Sequence, residues 1–254
     1  MHQLHKTLRE GNCCTGLWLM TPSLAFAELV RGAGIDFVVI DLEHGMHTLD
    51  TLLPTLRCVQ GGRTAALVRV PSHDPTMVSR VLDRGADGVM IPRVEDRETA
   101  MRVAAAARFP PNGERGLALR ALRASGYGAA AGYRDESDSE VLVAVQIESR
   151  KAIDDAIAIG SAPGVDLAFI GPADLAADLR LEGADGQAEF RALVDGKMAA
   201  LRAAGIRVGS VPFAGHDARS LRDAGAQLLV TGSDIGIMSA GVAQFCAQSG
   251  GRAC

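Results

Sequence analysis

The chain has 254 residues, 48% of them hydrophobic and 22% charged, with 30 acidic against 26 basic residues and a net charge of −4. Enough apolar surface is present for a sizeable core, which excludes a largely disordered protein. The charges are scattered, with no sustained basic run and no apolar stretch of membrane-spanning length, so nucleic acid and membrane are excluded as main partners.

The N-terminus, MHQLHKTLREGNCC, lacks the apolar centre of a secretory signal, and a cytoplasmic protein is expected. Five cysteines, Cys13, Cys14, Cys58, Cys246 and Cys254, form no C-x-x-C pair and give an odd count. Reduced thiols are the simplest reading.

In chain order, short β-rich runs recur at 15–21 (TGLWLMT), 37–44 (FVVIDLEH), 65–71 (AALVRVP) and 88–94 (GVMIPRV). Four more follow at 141–149 (VLVAVQIES), 167–174 (LAFIGPAD), 206–213 (IRVGSVPF) and 228–234 (LLVTGSD). The segments between them, such as DPTMVSRVLDRGADG and AEFRALVDGKMAALRAAG, carry helix patterns, and several end at Gly as helix C-termini do. Strands that are apolar without strict alternation suit a parallel sheet covered on both faces. Eight units, 1–254 as one domain, favour a closed (β/α)8 barrel, although a doubly wound open sheet leaves a similar string. One connection, 110–140, is unusually long, and loops of that length are more often functional than idle.

Catalytic groups of such barrels project from the C-terminal ends of the strands. The second run ends in Asp41, Glu43 and His44, the third carries Arg69, the fifth ends in Gln146 and Glu148, and the sixth runs into Gly171, Pro172, Ala173 and Asp174. Alternation puts Asp41 and Glu43 on one side of their strand and Gln146 and Glu148 on one side of theirs. Buried charges must be paired or bind a metal, so an ion-pair network around Arg69 competes with a metal site. Glu148 and Asp174 end adjacent strands and could share one ion. Their hard oxygen donors favour Mg2+ or Mn2+, with Co2+ or Zn2+ less favoured. His44 and His47 are three apart without a third ligand, and His47 reads as a helix-start or surface histidine. The GPADLA turn starts a helix whose N–H groups can grip a carboxylate, and it is equally an ordinary helix start with Pro in its first turn.

Taken together, GLWLMTPSLAFAELVRGAGIDFVVIDLEHG, LVRVP, IPRVED, RFPPNGERG, VAVQIES and FIGPADLAADL resemble the HpcH/HpaI family of aldolases, in order from about Gly16 to Gly241. The resemblance implies a phosphoenolpyruvate/pyruvate-type barrel with its eighth helix exchanged between subunits, and dimers assembled into a hexamer. It implies a class II, divalent-metal-dependent aldehyde-lyase that reversibly cleaves a 4-hydroxy-2-oxo acid, such as 4-hydroxy-2-oxoheptanedioate or 2-dehydro-3-deoxyglucarate, to pyruvate and an aldehyde. Carried over by position, Glu148 and Asp174 look like metal ligands, Arg69 like the residue on the keto oxygen, and His44 like the catalytic histidine. Asp83 looks like the carboxylate that orients His44, across a subunit interface. Gln146, Gly171, Pro172 and Ala173 match pyruvate-binding positions, and Trp18 and Asp41 match pocket-lining or supporting ones. Two departures from the family pattern are Arg180 after the sixth strand and the Ala- and Arg-rich long loop, which bears on the aldehyde side.

A Schiff-base aldolase needs a lysine at a strand end, and none of Lys6, Lys151 and Lys197 holds such a place. The resemblance also admits acyl-CoA lyases and oxaloacetate decarboxylases. A CoA enzyme needs a basic groove, to which only Arg120 and Arg123 could contribute, and these could equally bind a carboxylate on an acidic aldehyde. A non-catalytic binder of small acids would be expected to lack His44 or a metal ligand, and both are present.

Overall fold

All eight apolar runs become parallel strands: β1 (Cys14–Leu19), β2 (Phe37–Asp41), β3 (Ala65–Arg69), β4 (Gly88–Ile91), β5 (Leu142–Ile147), β6 (Leu167–Ile170), β7 (Arg207–Ser210) and β8 (Leu228–Ser233). Each pairs with the next and β8 pairs with β1, which closes the barrel and removes the open-sheet alternative. This is a computed structural model, and it describes residues 3–181, 183 and 186–249. Cys254 lies outside the described residues.

The helices are α1 (Gln3–Arg9), α2 (Leu24–Gly32), α3 (Leu49–Val59), α4 (Pro75–Asp83), α5 (Arg97–Ala107) and α6 (Tyr133–Glu140). They continue as α7 (Arg150–Asp154), α8 (Ala156–Gly160), α9 (Pro172–Leu179), α10 (Gln187–Ala203), α11 (Ala218–Asp223) and α12 (Asp234–Gln248). Side-chain caps start many of them: Ser23, Thr48, Asp74, Asp96, Ser149, Asp217 and Ser233 each accept a backbone N–H of the first turn. None is long and apolar enough to cross a membrane, among the described residues.

Alternation along the strands sorts the core into two shells. Val38, Ile40, Ala66, Val68, Val143 and Val145 face outward under the helices, while Phe37, Val39, Leu67, Met90, Leu142, Ala144, Leu167, Phe169 and Val230 fill the interior. Leu4 and Leu8 of α1 join the interior shell and plug the end where the strands begin. Three aspartates fasten that end. Asp36, Asp87 and Asp166, each just before β2, β4 or β6, accept the N–H of Thr15, Ala66 and Val143 on the preceding strand at 2.8, 2.8 and 2.9 Å.

The same alternation continues into polar residues at the other end, and this is what positions the site. Beyond Phe37 and Val39 the inward series on β2 reaches Asp41; beyond Leu67 on β3 it reaches Arg69; beyond Leu142 and Ala144 on β5 it reaches Gln146. Asp41 and Arg69 are direct register partners.

Candidate active site

Arg69 is 8% exposed and fixed on three sides. Its Nε and Nη2 donate to Asp41 at 2.9 and 2.7 Å, Nη1 lies 3.2 Å from Glu43, and the guanidinium stacks on Trp18, 4.3 Å from the ring centroid. Trp18 in turn meets Phe169 edge-on. Burial alone would raise the Asp41 carboxyl, but the Arg69 hydrogen bonds and charge outweigh it and hold the pKa below the usual range. The ion-pair network weighed from sequence is therefore real, yet it consumes only Asp41 and Glu43.

Glu148 is the carboxylate it leaves over. It is 6% exposed, accepts the Arg93 N–H at 3.1 Å and the Gln146 amide at 2.6 Å, and among the described residues has no cation at ion-pair distance. Burial first, and then the negative charges of Asp174 and Glu43, push its pKa up to about 7, against the Arg93 N–H and the more distant Arg69 charge. Gly171 lets this carboxylate lie where it does, since a Cβ there would sit 2.5 Å from Oε1. Gln146 Oε1 is buried with no hydrogen-bond partner.

Asp174, in the first turn of α9, is half exposed, with Oδ1 3.6 Å from Arg93 Nη2. Because β5 and β6 are neighbours, Glu148 and Asp174 come to adjacent places at one rim of the barrel. A buried carboxyl group with a raised pKa beside a second carboxylate, with an orphaned amide oxygen nearby, fits a hard divalent cation held by two protein ligands. Among the described residues no group of three or more His, Cys, Asp or Glu is arranged to hold a metal. The rest of an octahedral shell would come from water and substrate oxygens. Gly171 caps α9 and Pro172 opens it, so the free N–H groups of its first turn face the same rim.

His44 is 59% exposed on the β2–α3 loop, its Nε2 3.7 Å from Glu43. Asp83 does not join it within the chain. It closes α4, whose C-terminus feeds the start of β4 at the opposite end of the barrel, and it is bound at 2.9 Å by the fully buried Arg115. The carboxylate that faces His44 in its own chain is Glu43. The long 110–140 connection likewise links α5 to β5, so it lies at the end where the strands begin. Arg123 bonds there to Gln60 and to the Arg84 carbonyl, away from the chain's own site. His47 starts a helix as read from sequence but is buried, not on the surface, and burial, the largest influence, lowers its pKa. Lys151 lies in α7 and pairs with Glu95 and Asp96, which removes it as a strand-end nucleophile.

Two residues escaped the sequence reading. Arg93 follows β4 with its backbone in the left-handed region, φ 49°, and contacts both Glu148 and Asp174. A charged residue just past a strand end was the available signal. Asp234 is fully buried and accepts the N–H groups of Met20 and Thr21, which ties the end of β1 to the start of α12.

A closed parallel barrel with acidic and guanidinium groups gathered at the strand C-termini has the place and the polarity of a barrel-enzyme active site. The profile of the HpcH/HpaI aldolase/citrate lyase family matches residues 14–240, and the chain belongs to that family. It is 38% identical over 228 residues, 89% of this chain and 86% of the other, to the 4-hydroxy-2-oxovalerate aldolase of Novosphingobium aromaticivorans. It is 35% identical over 226 residues, 89% of this chain and 88% of the other, to the 5-keto-4-deoxy-D-glucarate aldolase of Salmonella arizonae. An HpcH/HpaI aldolase/citrate lyase family protein from Burkholderia cenocepacia superposes with a TM-score of 0.90 at 32% identity, over 98% of this chain and 99% of that one.

Proposed function

We propose that the protein is a divalent-metal-dependent pyruvate aldolase, cleaving a 4-hydroxy-2-oxo acid to pyruvate and an aldehyde, with Glu148 and Asp174 holding Mg2+ or Mn2+. The observation that carries this reading is Glu148: a buried carboxylate, raised to about 7, beside Asp174 and without a cation of its own. When bound, a divalent ion supplies positive charge beside the 2-oxo and carboxylate oxygens of the substrate, where the enolate charge collects.

The chain's own groups supply the rest. The N–H groups at Pro172–Asp174, less the proline, hold the substrate carboxylate at the start of α9, against Gly171 and Gln146. Arg69, locked by Asp41 and Trp18, presents its remaining N–H bonds to the developing enolate oxygen without having to reorganise. His44 takes the proton of the C4 hydroxyl, the C3–C4 bond breaks to release the aldehyde, and C3 of the enolate is then protonated to give pyruvate.

The assembly is part of the proposal. On α12 only Asp234 is buried, while Ile237, Val242 and Phe245 are 52%, 64% and 68% exposed. Such an apolar face supports coverage by a second copy, in keeping with an exchanged eighth helix, a homo-oligomer such as a hexamer, and Asp83 reaching the His44 of a partner. The chain acts as one cytoplasmic (β/α)8 domain over 1–254. A panel of 4-hydroxy-2-oxo acids with pyruvate detection, run with EDTA and with Mg2+, Mn2+ or Co2+ restored, tests the reading. Metal-restored pyruvate release is the expected result. Activity that survives EDTA and is trapped by borohydride as a pyruvoyl-lysine would overturn it.

A further inference from the structure

Arginine seldom occupies the left-handed backbone region, yet Arg93 does so immediately after β4, and its N–H is spent on Glu148. Its side chain is 69% exposed and has one ionic contact, 3.6 Å to Asp174. From this placement we infer that Arg93 selects the half of the substrate that leaves as the aldehyde, and that this half carries a carboxylate. The inference deepens the aldolase reading and rests on it for where the substrate lies.

The argument is one of which cation is free. Arg69 is buried and committed to Asp41, Glu43 and the face of Trp18. Lys151 is paired with Glu95 and Asp96. Arg123, one of the two long-loop arginines that the sequence offered for this purpose, lies at the other end of its own barrel and is already bonded to Gln60 and the Arg84 carbonyl. Among the described residues, Arg93 is the arginine whose backbone N–H bonds to Glu148 and whose exposed guanidinium also reaches Asp174, through a single contact longer than a hydrogen bond; Arg150, also past a strand end, is rooted instead on Asp178.

A guanidinium carries five N–H donors in a planar fork that matches a carboxylate edge. A divalent ion on Glu148 and Asp174 would neutralise the charge that draws Arg93 to Asp174 and leave the fork to an incoming anion. A neutral aldehyde would offer it single neutral acceptors in place of a charged, bidentate edge. The backbone bond to Glu148 fixes where the arginine is rooted, so the fork stays at the rim, next to the pyruvate half.

The test exploits Trp18, the chain's sole tryptophan, which stacks on Arg69 and reports binding without turnover. Fluorescence titrations in saturating Mg2+ compare 2-oxovalerate with 2-oxoglutarate, two five-carbon 2-oxo acids that differ in a terminal methyl or carboxylate. Wild type, Arg93→Gly and Arg93→Lys are measured. Glycine adopts a φ of 49° without strain and keeps the N–H to Glu148, so it removes the side chain alone. The expected ratio of the two dissociation constants is roughly tenfold or more in favour of 2-oxoglutarate in wild type, about one in Arg93→Gly, and intermediate in Arg93→Lys. Because the ratio is taken within each protein, a general loss of affinity does not mimic the result. Absence of a preference in wild type, or a preference undiminished in Arg93→Gly, overturns the inference. Pyruvate release by the wild type keeps the two readings apart: release without a wild-type preference for 2-oxoglutarate sinks the carboxylate site alone, and a wild-type preference lost in Arg93→Gly without any release sinks the aldolase reading while the carboxylate site stands.

Discussion

Where the strands begin, the buried Arg108 and Arg115 each meet a carboxylate, Asp166 and Asp83, and among the described residues there only Arg115 Nη1 and the His5 ring nitrogens are buried without a hydrogen bond. Asp166 accepts the Val143 N–H and the Arg108 guanidinium at 2.7 Å, with His5 3.5 Å away, and Arg108 also donates to the carbonyls of Val141 and Gly164. Where the strands end, Arg69 is answered by Asp41 and Glu43, but Glu148 is crowded by like charges and Gln146 keeps an orphaned oxygen. Closing the barrel needs fixed strand starts, so polar groups there are spent on the backbone. Chemistry needs groups that are held in place but not yet satisfied, and Glu148 and the Gln146 oxygen at the other end are of that kind. The two ends should therefore respond to mutation in opposite ways.

The sharpest break in that contrast is made at the ligand-waiting end. Glu148→Gln or Asp174→Asn should lower metal-dependent pyruvate release by about 10³-fold or more, with thermal unfolding of the metal-free protein changed by less than about 1 kcal/mol. A large loss of stability in Glu148→Gln would mean that this carboxylate is structural after all. At the fastened end, Arg108→Ala should cost roughly 3 kcal/mol of stability by urea denaturation, because Asp166 loses its guanidinium and the Val141 and Gly164 carbonyls lose their donor. The activity of the molecules that remain folded should be little altered.

A smaller effect tests the same end by pH. Burial by itself would raise the Asp166 carboxyl, but His5, Arg108 and the Val143 N–H outweigh it and hold the folded-state pKa below the ordinary value. Its contribution to stability is then fully present above the unfolded pKa of about 3.9 and is lost as pH falls through the lower folded value. Urea midpoints of wild type should fall between roughly pH 5 and 3 more steeply than those of Asp166→Asn. Parallel acid limbs for the two proteins would show that Asp166 is not preferentially ionised by the fold.

The barrel was legible in the sequence because parallel strands buried on both faces are nearly continuous apolar runs, and Phe37, Val39 and Asp41 already display the alternation that turns polar at the rim. Arg69, Gln146 and Glu148 were legible for the same reason, since a strand's period of two places inward residues without knowledge of their neighbours. Asp83 was legible only through the resemblance: the direction of α4 carries it away from His44 of its own chain, which is in keeping with the place across a subunit interface that the resemblance implies. The place of the long 110–140 segment in its own barrel follows from its being an α-to-β connection, which its length did not reveal. Arg93 was hidden because the carboxylate that accepts its N–H, Glu148, is 55 residues away in the chain. His47 looked like a surface residue because its local sequence does not reveal what packs over it.

The central claim is that Glu148 and Asp174 form a cation site, and it is tested most directly by Mn2+ binding, followed by electron paramagnetic resonance of free Mn2+, in wild type, Glu148→Gln, Asp174→Asn and His44→Ala. The account expects one saturable site in wild type, kept in His44→Ala and weakened by about 100-fold or more in each carboxylate variant. Undiminished binding in Glu148→Gln and Asp174→Asn would contradict it.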